Sequence, residues 1–230
     1  MLKAIVFDFD GVIANSEPLH FQAFREVLAG EGIPLTEDDY YGRLLGFDDI
    51  GVFRAVSGER GAGWTAARVR ELAARKAVRL EALEQGRSVL FPGAADAVKR
   101  AAAAAPLAIA SGAIGAEIRR VLDRERLAEY FTVIVAAEDT PSSKPAPDPY
   151  LHAVALLAHI ADRADGDPVT AAECVAIEDS RWGLESARAA GLKTVGVAQT
   201  YPASELAGAD LVIANIEILD IERLVKLCTK

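Results

Sequence analysis

The sequence predicts an α/β fold, in which a Rossmann-like open parallel sheet forms the core and a small α-helical cap domain is inserted into it. Three observations carry this. Short, continuous apolar runs recur along the 230-residue chain, the pattern of parallel strands covered on both faces. Beyond residue 90 they alternate with segments of helical periodicity, as a wound parallel sheet requires. Between Ser16 and about Ser88 the alternation stops, and helical patterns follow one another with no convincing strand.

Taken in order, the first strand is expected at Ala4–Phe9. The insertion follows. Leu19–Leu28 is amphipathic, Thr36–Leu44 starts behind a capping threonine, and Thr65–Leu83 is a long helix. Val69, Leu72, Ala73, Leu80 and Leu83 form one apolar stripe along it. The sheet resumes after Phe91-Pro92-Gly93, with strands at Leu107–Ser111, Val133–Ala136, Cys174–Ile177, Thr194–Val197 and Leu211–Ala214. Between them, Gly115–Leu122 sets Ile118, Val121 and Leu122 on one face. Asp148–Ile160 does the same with Leu151, Val154, Ala155 and Leu157, and Leu184–Ala190 stops at Gly191, a helix-ending residue. Asp162–Pro168 reads as a polar loop, and Ala101–Ala105 as a helix end. The expected division is a discontinuous core, residues 1–15 and 88–230, around a cap of residues 16–87.

Composition bounds the function. With 51% hydrophobic residues and only 7% aromatic, the chain can bury a core built of helices on a sheet rather than of strands alone. A formal net charge of -9 argues against nucleic acid or an anionic membrane as partner. It leaves a small phosphate ester open, because a local cation can override the global field. Cys174 and Cys228 make no disulfide framework in a chain of this size, and Cys174, in an apolar run, is expected to be a buried thiol. Met1–Phe7 lacks the apolar length and cleavage site of a signal peptide, and no stretch approaches a membrane span. The expectation is a soluble, cytoplasmic monomer.

Chemistry concentrates where strands end. Asp8-Phe9-Asp10-Gly11-Val12 closes the first strand, and ligands of open α/β sheets bind at the carboxyl ends of strands. Residues two apart on a strand face one side, so Asp8 and Asp10 can act on one substrate; two solvated turn aspartates are the plainer reading. Gly11 lets the chain turn close to a ligand. Ser111 and Gly112 end the second strand, where a hydroxyl and backbone N–H groups can hold a phosphate oxygen or simply cap a helix. Lys144 sits in Ser143-Lys144-Pro145-Ala146-Pro147-Asp148-Pro149, whose prolines stiffen the backbone, although a loop lysine is usually just solvated. Glu178-Asp179, again at a strand end, suit a hard cation that takes oxygen ligands.

Together and in this order, these groups resemble the haloacid dehalogenase superfamily of phosphotransferases over essentially the whole chain. Asp8 and Asp10 match its first motif, Ser111 the second, Lys144 the third and Glu178-Asp179 the fourth. The helical insertion is similar to that family's small cap. Ser143–Tyr150 and Ile177–Gly183, with Ala189-Ala190-Gly191, look like the branch holding β-phosphoglucomutase and sugar-phosphate or phosphoglycolate phosphatases. The resemblance implies that Asp8 attacks phosphorus to form an aspartyl phosphate, and that Asp10 serves as acid and then base. It implies magnesium held by Asp8, Asp179 and the backbone carbonyl of Asp10, with Glu178 in support, and a phosphate clamp of Lys144, Ser111 and Gly112. Asp10 disfavours the dehalogenases, which use no acid there.

The cap is expected to choose the substrate. His20 shares a helix face with Phe24 and Val27; it packs, or it binds substrate as the resemblance implies for Ser16-Glu17-Pro18-Leu19-His20. Lys76 falls on the stripe of Leu72 and Leu80, where an apolar residue belongs. Snorkelling, an ion pair or a substrate contact each explain it. The departure is Leu44-Leu45-Gly46-Phe47-Asp48-Asp49. In β-phosphoglucomutases that loop supplies an arginine for a second phosphate, and here Asp49 takes its place, with Arg43 and Arg54 nearby. The expected activity is hydrolysis of a small phosphate monoester. The alternatives are a hexose phosphate mutase or a non-catalytic phosphometabolite-binding module.

Overall fold

The structure is a computed structural model that describes residues 1–44, 47–163 and 168–229. Leu45 and Gly46 of the cap loop, and most of the loop expected at Asp162–Pro168, lie outside the described residues. In chain order, β1 (Ala4–Phe7) precedes the helices α1 (Glu17–Ala29), α2 (Glu37–Asp39), α3 (Asp49–Arg60) and α4 (Ala66–Glu84). Then come α5 (Ala94–Ala102), β2 (Leu107–Ala110), α6 (Gly115–Arg124), β3 (Phe131–Val135) and α7 (Asp148–Arg163). The chain continues with β4 (Cys174–Glu178), α8 (Arg181–Ala189), β5 (Lys193–Val197), β6 (Leu211–Ile213) and α9 (Ile221–Leu227). It divides into two compact units, Met1–Asn15 with Val89–Lys230, and Ser16–Ser88.

The first unit holds a parallel sheet in the order β3-β2-β1-β4-β5-β6. The chain builds outward from β1 to one side and then, from β4, to the other. Ligands of such sheets bind at the reversal. Register makes this concrete, because Phe7 pairs with Ile109 on β2 and with Ile177 on β4. The residues that follow, Asp8 and Glu178, therefore emerge side by side.

Every residue of β1, β2 and β4 is buried, as their continuous apolar runs require for strands covered on both faces. On one face Ala4, Val6, Ala108, Ala110, Val133, Val135, Cys174 and Ala176 form a single core. Tyr150, Ala153, Val154 and Leu157 of α7 and Ala187 of α8 complete it. Cys174 is a buried free thiol, and burial pushes it up to about 12.

β1 stops at Phe7, two residues short of the expected strand end at Phe9. The chain turns there: Gly11 donates to the Ala14 carbonyl and Ala14 donates to Phe9, both at 2.9 Å. Two helices, α3 and α9, stood out from no sequence pattern, and of α5 only its end, in Ala101–Ala105, was read. α3 buries only Val52, Phe53 and Val56 and carries Gly51 and Gly58, which lower helix propensity.

Among its described residues the second unit holds helices, joined by short loops, and no strand. Phe21, Phe24, Val27 and Leu28 of α1 pack with Val52, Phe53 and Val56 of α3 and with Val69 and Leu72 of α4. Thr36 caps α2, accepting from the Asp39 N–H at 3.1 Å, and Tyr40–Leu44 continue as a wider π-helical turn. The long apolar stripe is as expected: Val69, Leu72, Leu80 and Leu83 are buried on α4, and Lys76 is buried among them.

Candidate active site

Asp8 is the first residue beyond β1. Its N–H donates to Ile177 of β4 at 2.9 Å, so its backbone is still held by the sheet while its carboxylate leaves the strand end. Lys144 reaches it from the loop before α7, and Lys144 Nζ donates to Asp8 Oδ1 at 2.8 Å and to Glu178 Oε1 at 2.5 Å. Asp179 follows Glu178 directly. One carboxylate oxygen from each of Asp8, Glu178 and Asp179 lies within 4.8 Å of the others, and all three residues are buried.

Electrostatics follow from this crowding. Burial pushes Asp8 up to about 6, against the pull of Lys144. Burial, then the charges of Glu178 and Asp8, hold Asp179 well above the usual carboxylate range. Burial opposes the Lys144 ammonium, but Asp8 and Glu178 outweigh it and keep the group charged beyond its ordinary range. Three carboxylates thus face one ammonium in a desolvated place. The donors are hard oxygens in excess negative charge, which fits a divalent cation such as magnesium.

Two glycines make room for these acids. Gly11 has φ +80, and a Cβ there would stand 1.9 Å from Asp179 Oδ2. A Cβ on Gly183 would meet the Glu178 carboxylate at 1.9 Å. Gln199 Nε2 holds the Gly11 and Val12 carbonyls at 2.8 and 2.9 Å, fixing the loop that carries Asp10.

Ser111 ends β2, buried, with its N–H on Val135 of β3 at 3.0 Å. It does not cap a helix. Its hydroxyl accepts from Ala113 at 3.1 Å, whereas α6 begins at Gly115, whose N–H is taken by Glu138 at 3.0 Å. The reason is length: three residues separate Ser111 from the first turn. The hydroxyl and the exposed Gly112 remain in the first unit, at the same end of the sheet as Asp8.

His20 and Lys76 lie in the second unit and meet each other. Lys76 is 0% exposed, so it does not snorkel. Its Nζ donates to Asp49 Oδ1 at 2.7 Å and lies 2.9 Å from His20 Nδ1, with the Phe24 ring beneath it at 4.7 Å. Asp49 is thus an ion-pair partner. Glu17, in the same unit, accepts the Tyr40 hydroxyl.

Sequence reasoning missed Tyr150, whose hydroxyl donates to Glu178 Oε1 at 2.8 Å. It also missed the clearance that Gly183 gives Glu178. Both residues stand inside the stretches that carry the resemblance, Ser143–Tyr150 and Ile177–Gly183, and that was their only signal.

Comparison with known proteins decides the family. Residues 2–191 match the haloacid dehalogenase-like hydrolases. The chain belongs to that family. Protein CbbY of Rhodobacter capsulatus is 34% identical over 229 residues, 96% of this chain and 94% of the relative. Fructose-1-phosphate phosphatase YqaB of Escherichia coli is 31% identical over 203 residues, 84% of this chain and 95% of the relative. The crystal structure of β-phosphoglucomutase from Clostridium difficile superposes with a TM-score of 0.83, covering 99% of this chain and 97% of that one. At 21% identity it establishes the fold: a haloacid dehalogenase-like sheet with helices on both faces.

Proposed function

We propose that this haloacid dehalogenase-like hydrolase is a magnesium-dependent phosphatase that cleaves a small phosphate monoester through an aspartyl phosphate on Asp8. The observation that carries the reading is the buried Asp8–Lys144 pair, 2.8 Å apart, at the carboxyl end of the strand beside the sheet's reversal. A nucleophilic carboxylate needs a nearby cation if it is to approach an anionic phosphate.

In the proposed reaction, an Asp8 oxygen bonds to phosphorus as the ester P–O bond breaks. Asp10 gives its proton to the leaving oxygen. Asp10 then takes a proton from water, whose oxygen displaces Asp8 and releases inorganic phosphate. Lys144, the Ser111 hydroxyl and the Gly112 N–H hold the phosphate oxygens and stabilise the charge they gather. Magnesium, held by Asp8, Asp179 and the Asp10 carbonyl with Glu178 in support, would supply positive charge that offsets the repulsion between Asp8 and the phosphate.

The helical unit, residues 16–87 by sequence, acts in this reading as the cap, with His20 contacting the substrate; Lys76, 0% exposed and paired with Asp49, lies behind His20 and does not touch the substrate. A phosphorylated sugar is the favoured class, supported by the activity named for the Escherichia coli relative. Hydrolysis is favoured over mutation because Asp49, at the place of a mutase arginine, pairs with Lys76 at 2.7 Å and leaves that pair without net charge for a second phosphate. No helix among the described residues is long and apolar enough to cross a membrane. The reading takes the protein as a cytoplasmic monomer acting on a small ester, with neither nucleic acid nor membrane as partner.

The experiment is a panel of phosphate esters assayed with magnesium for free-phosphate release, alongside Asp8→Asn. The amide is nearly isosteric and a poor nucleophile, so the variant should fold and not turn over. Phosphate release at the wild-type rate by folded Asp8→Asn removes the central claim. No turnover of any ester by the wild type favours the binding-module alternative.

A further inference from the structure

Tyr150 has no part in the proposed reaction, yet it touches two groups that do. Its side chain is 0% exposed, on the first turn of α7, within the core that α7 shares with the sheet. Its hydroxyl donates to Glu178 Oε1 at 2.8 Å, and its ring lies 5.1 Å from Lys144 Nζ. Phenylalanine would fill the same volume, so packing does not account for the hydroxyl.

We propose that Tyr150 is a positioning residue, which fixes the Glu178 carboxylate and seats the Lys144 ammonium so that the lysine is aimed at Asp8. The proposal rests on the phosphatase reading. An ionised carboxylate accepts through both oxygens, and each oxygen of Glu178 has protein donors. Oε1 accepts from Lys144 at 2.5 Å and from Tyr150 at 2.8 Å. Oε2 accepts from the N–H groups of Asp179 and Ser180 at 3.2 and 3.4 Å and from the Ser180 hydroxyl at 3.3 Å.

Oε2 is therefore anchored to the backbone that opens α8, and Oε1 faces the lysine. Tyr150 is the partner that pins Oε1 from the core side. Its ring meanwhile offers the ammonium a cation–π seat. Without the hydroxyl, Oε1 keeps Lys144 alone, and the two are free to shift together. Small displacements of a group that stabilises the transition state lower turnover more than they lower ground-state binding.

The test is a double-mutant cycle of Tyr150→Phe and Glu178→Gln, read as kcat and KM on the best ester of the panel with saturating magnesium. Thermal melts accompany each variant. Tyr150→Phe should lower kcat about tenfold, with KM within about twofold of wild type and an unchanged melting midpoint. In the Glu178→Gln background the same substitution should cost nothing more, because Tyr150 acts through Glu178. 4-Aminophenylalanine at position 150, which keeps a donor in place, should restore most of the kcat.

Wild-type kcat in Tyr150→Phe overturns the proposal, as does an equal loss in the Glu178→Gln background. If Tyr150→Phe fails to fold, the 4-aminophenylalanine protein decides: near-wild-type kcat upholds the donor role and a tenfold loss overturns it. Absence of any turnover by the wild type removes the phosphatase reading and this role with it. An active wild type without coupling removes only the role of Tyr150.

Discussion

The Asp179 carboxylate lies against the backbone of Gly11, so close that a Cβ on Gly11 would stand 1.9 Å from Oδ2 and 2.4 Å from Cγ. The chain there also has φ +80, which L side chains adopt at a cost of roughly 1–2 kcal/mol. Clearance and conformation thus demand glycine independently. Gly11→Ala must push Asp179 away or open the loop that carries Asp10. The expected result is a fall in kcat of about 100-fold, well beyond what a modest drop in melting midpoint explains. Steady-state kinetics and thermal melts of the purified variant check it. Full activity would mean that Asp179 tolerates displacement.

Removing metal should remove activity. Asp8, Glu178 and Asp179 gather three buried carboxylates around the single ammonium of Lys144, an imbalance that a divalent cation relieves. Chelation should abolish phosphate release and magnesium restore it. Calcium, which accepts higher coordination, should inhibit. Magnesium should also stabilise the fold without substrate, by about 2.7 kcal/mol at a hundredfold excess over Kd. Asp179→Asn should lose most of that shift. Unchanged melting of the wild type across a magnesium titration would argue that the cluster binds no ion.

What the sequence made legible and what it hid divide along physical lines. β1, β2 and β4 could be read because strands buried on both faces leave continuous apolar runs. The acids could be read because they stand directly at the ends of those runs. α3 could not, since Gly51 and Gly58 interrupt its pattern. Lys76 was visible as a cation in an apolar stripe. Its partner Asp49 was not, because 27 residues separate them and only the packing of α3 and α4 brings them together. Tyr150 escaped for a different reason: a core aromatic looks the same in sequence whether or not its hydroxyl has work to do.

Glu17 makes the helical unit sensitive to pH. Burial raises its carboxyl above the ordinary value of 4.5, although the Tyr40 hydroxyl and Lys76 pull the other way. The folded state therefore holds this proton more tightly than the unfolded chain. Its contribution to stability is full below the ordinary pKa and is lost as pH rises through the raised one. Glu17→Gln removes the charge and keeps an acceptor for Tyr40. The variant should melt higher than wild type at about pH 8 and match it at about pH 4. Thermal melts across that range check the prediction, and a variant less stable than wild type at the higher pH contradicts it.

Hydrolysis should exceed isomerisation, and the Lys76–Asp49 pair is where that choice can be tested. A mutase must grip a second phosphate far from the nucleophile, which calls for an unpaired cation, ideally a bidentate guanidinium. Here the Lys76 ammonium is 0% exposed and spends its charge on Asp49 at 2.7 Å. Given a hexose 1-phosphate and an activating bisphosphate, the wild type should release free phosphate well in excess of any 6-phosphate formed. Asp49→Arg should change two things at once. It removes the partner of a buried lysine and adds a second cation beside it, so folding stability should fall by about 3 kcal/mol, read by urea denaturation. Affinity for bisphosphates, read by competition against monoester hydrolysis, should rise. Asp49→Asn separates the two effects, because it removes the negative charge without adding a positive one and should raise that affinity less. Efficient isomerisation by the unmodified protein, with little phosphate lost to water, would reverse the assignment and make the chain a mutase.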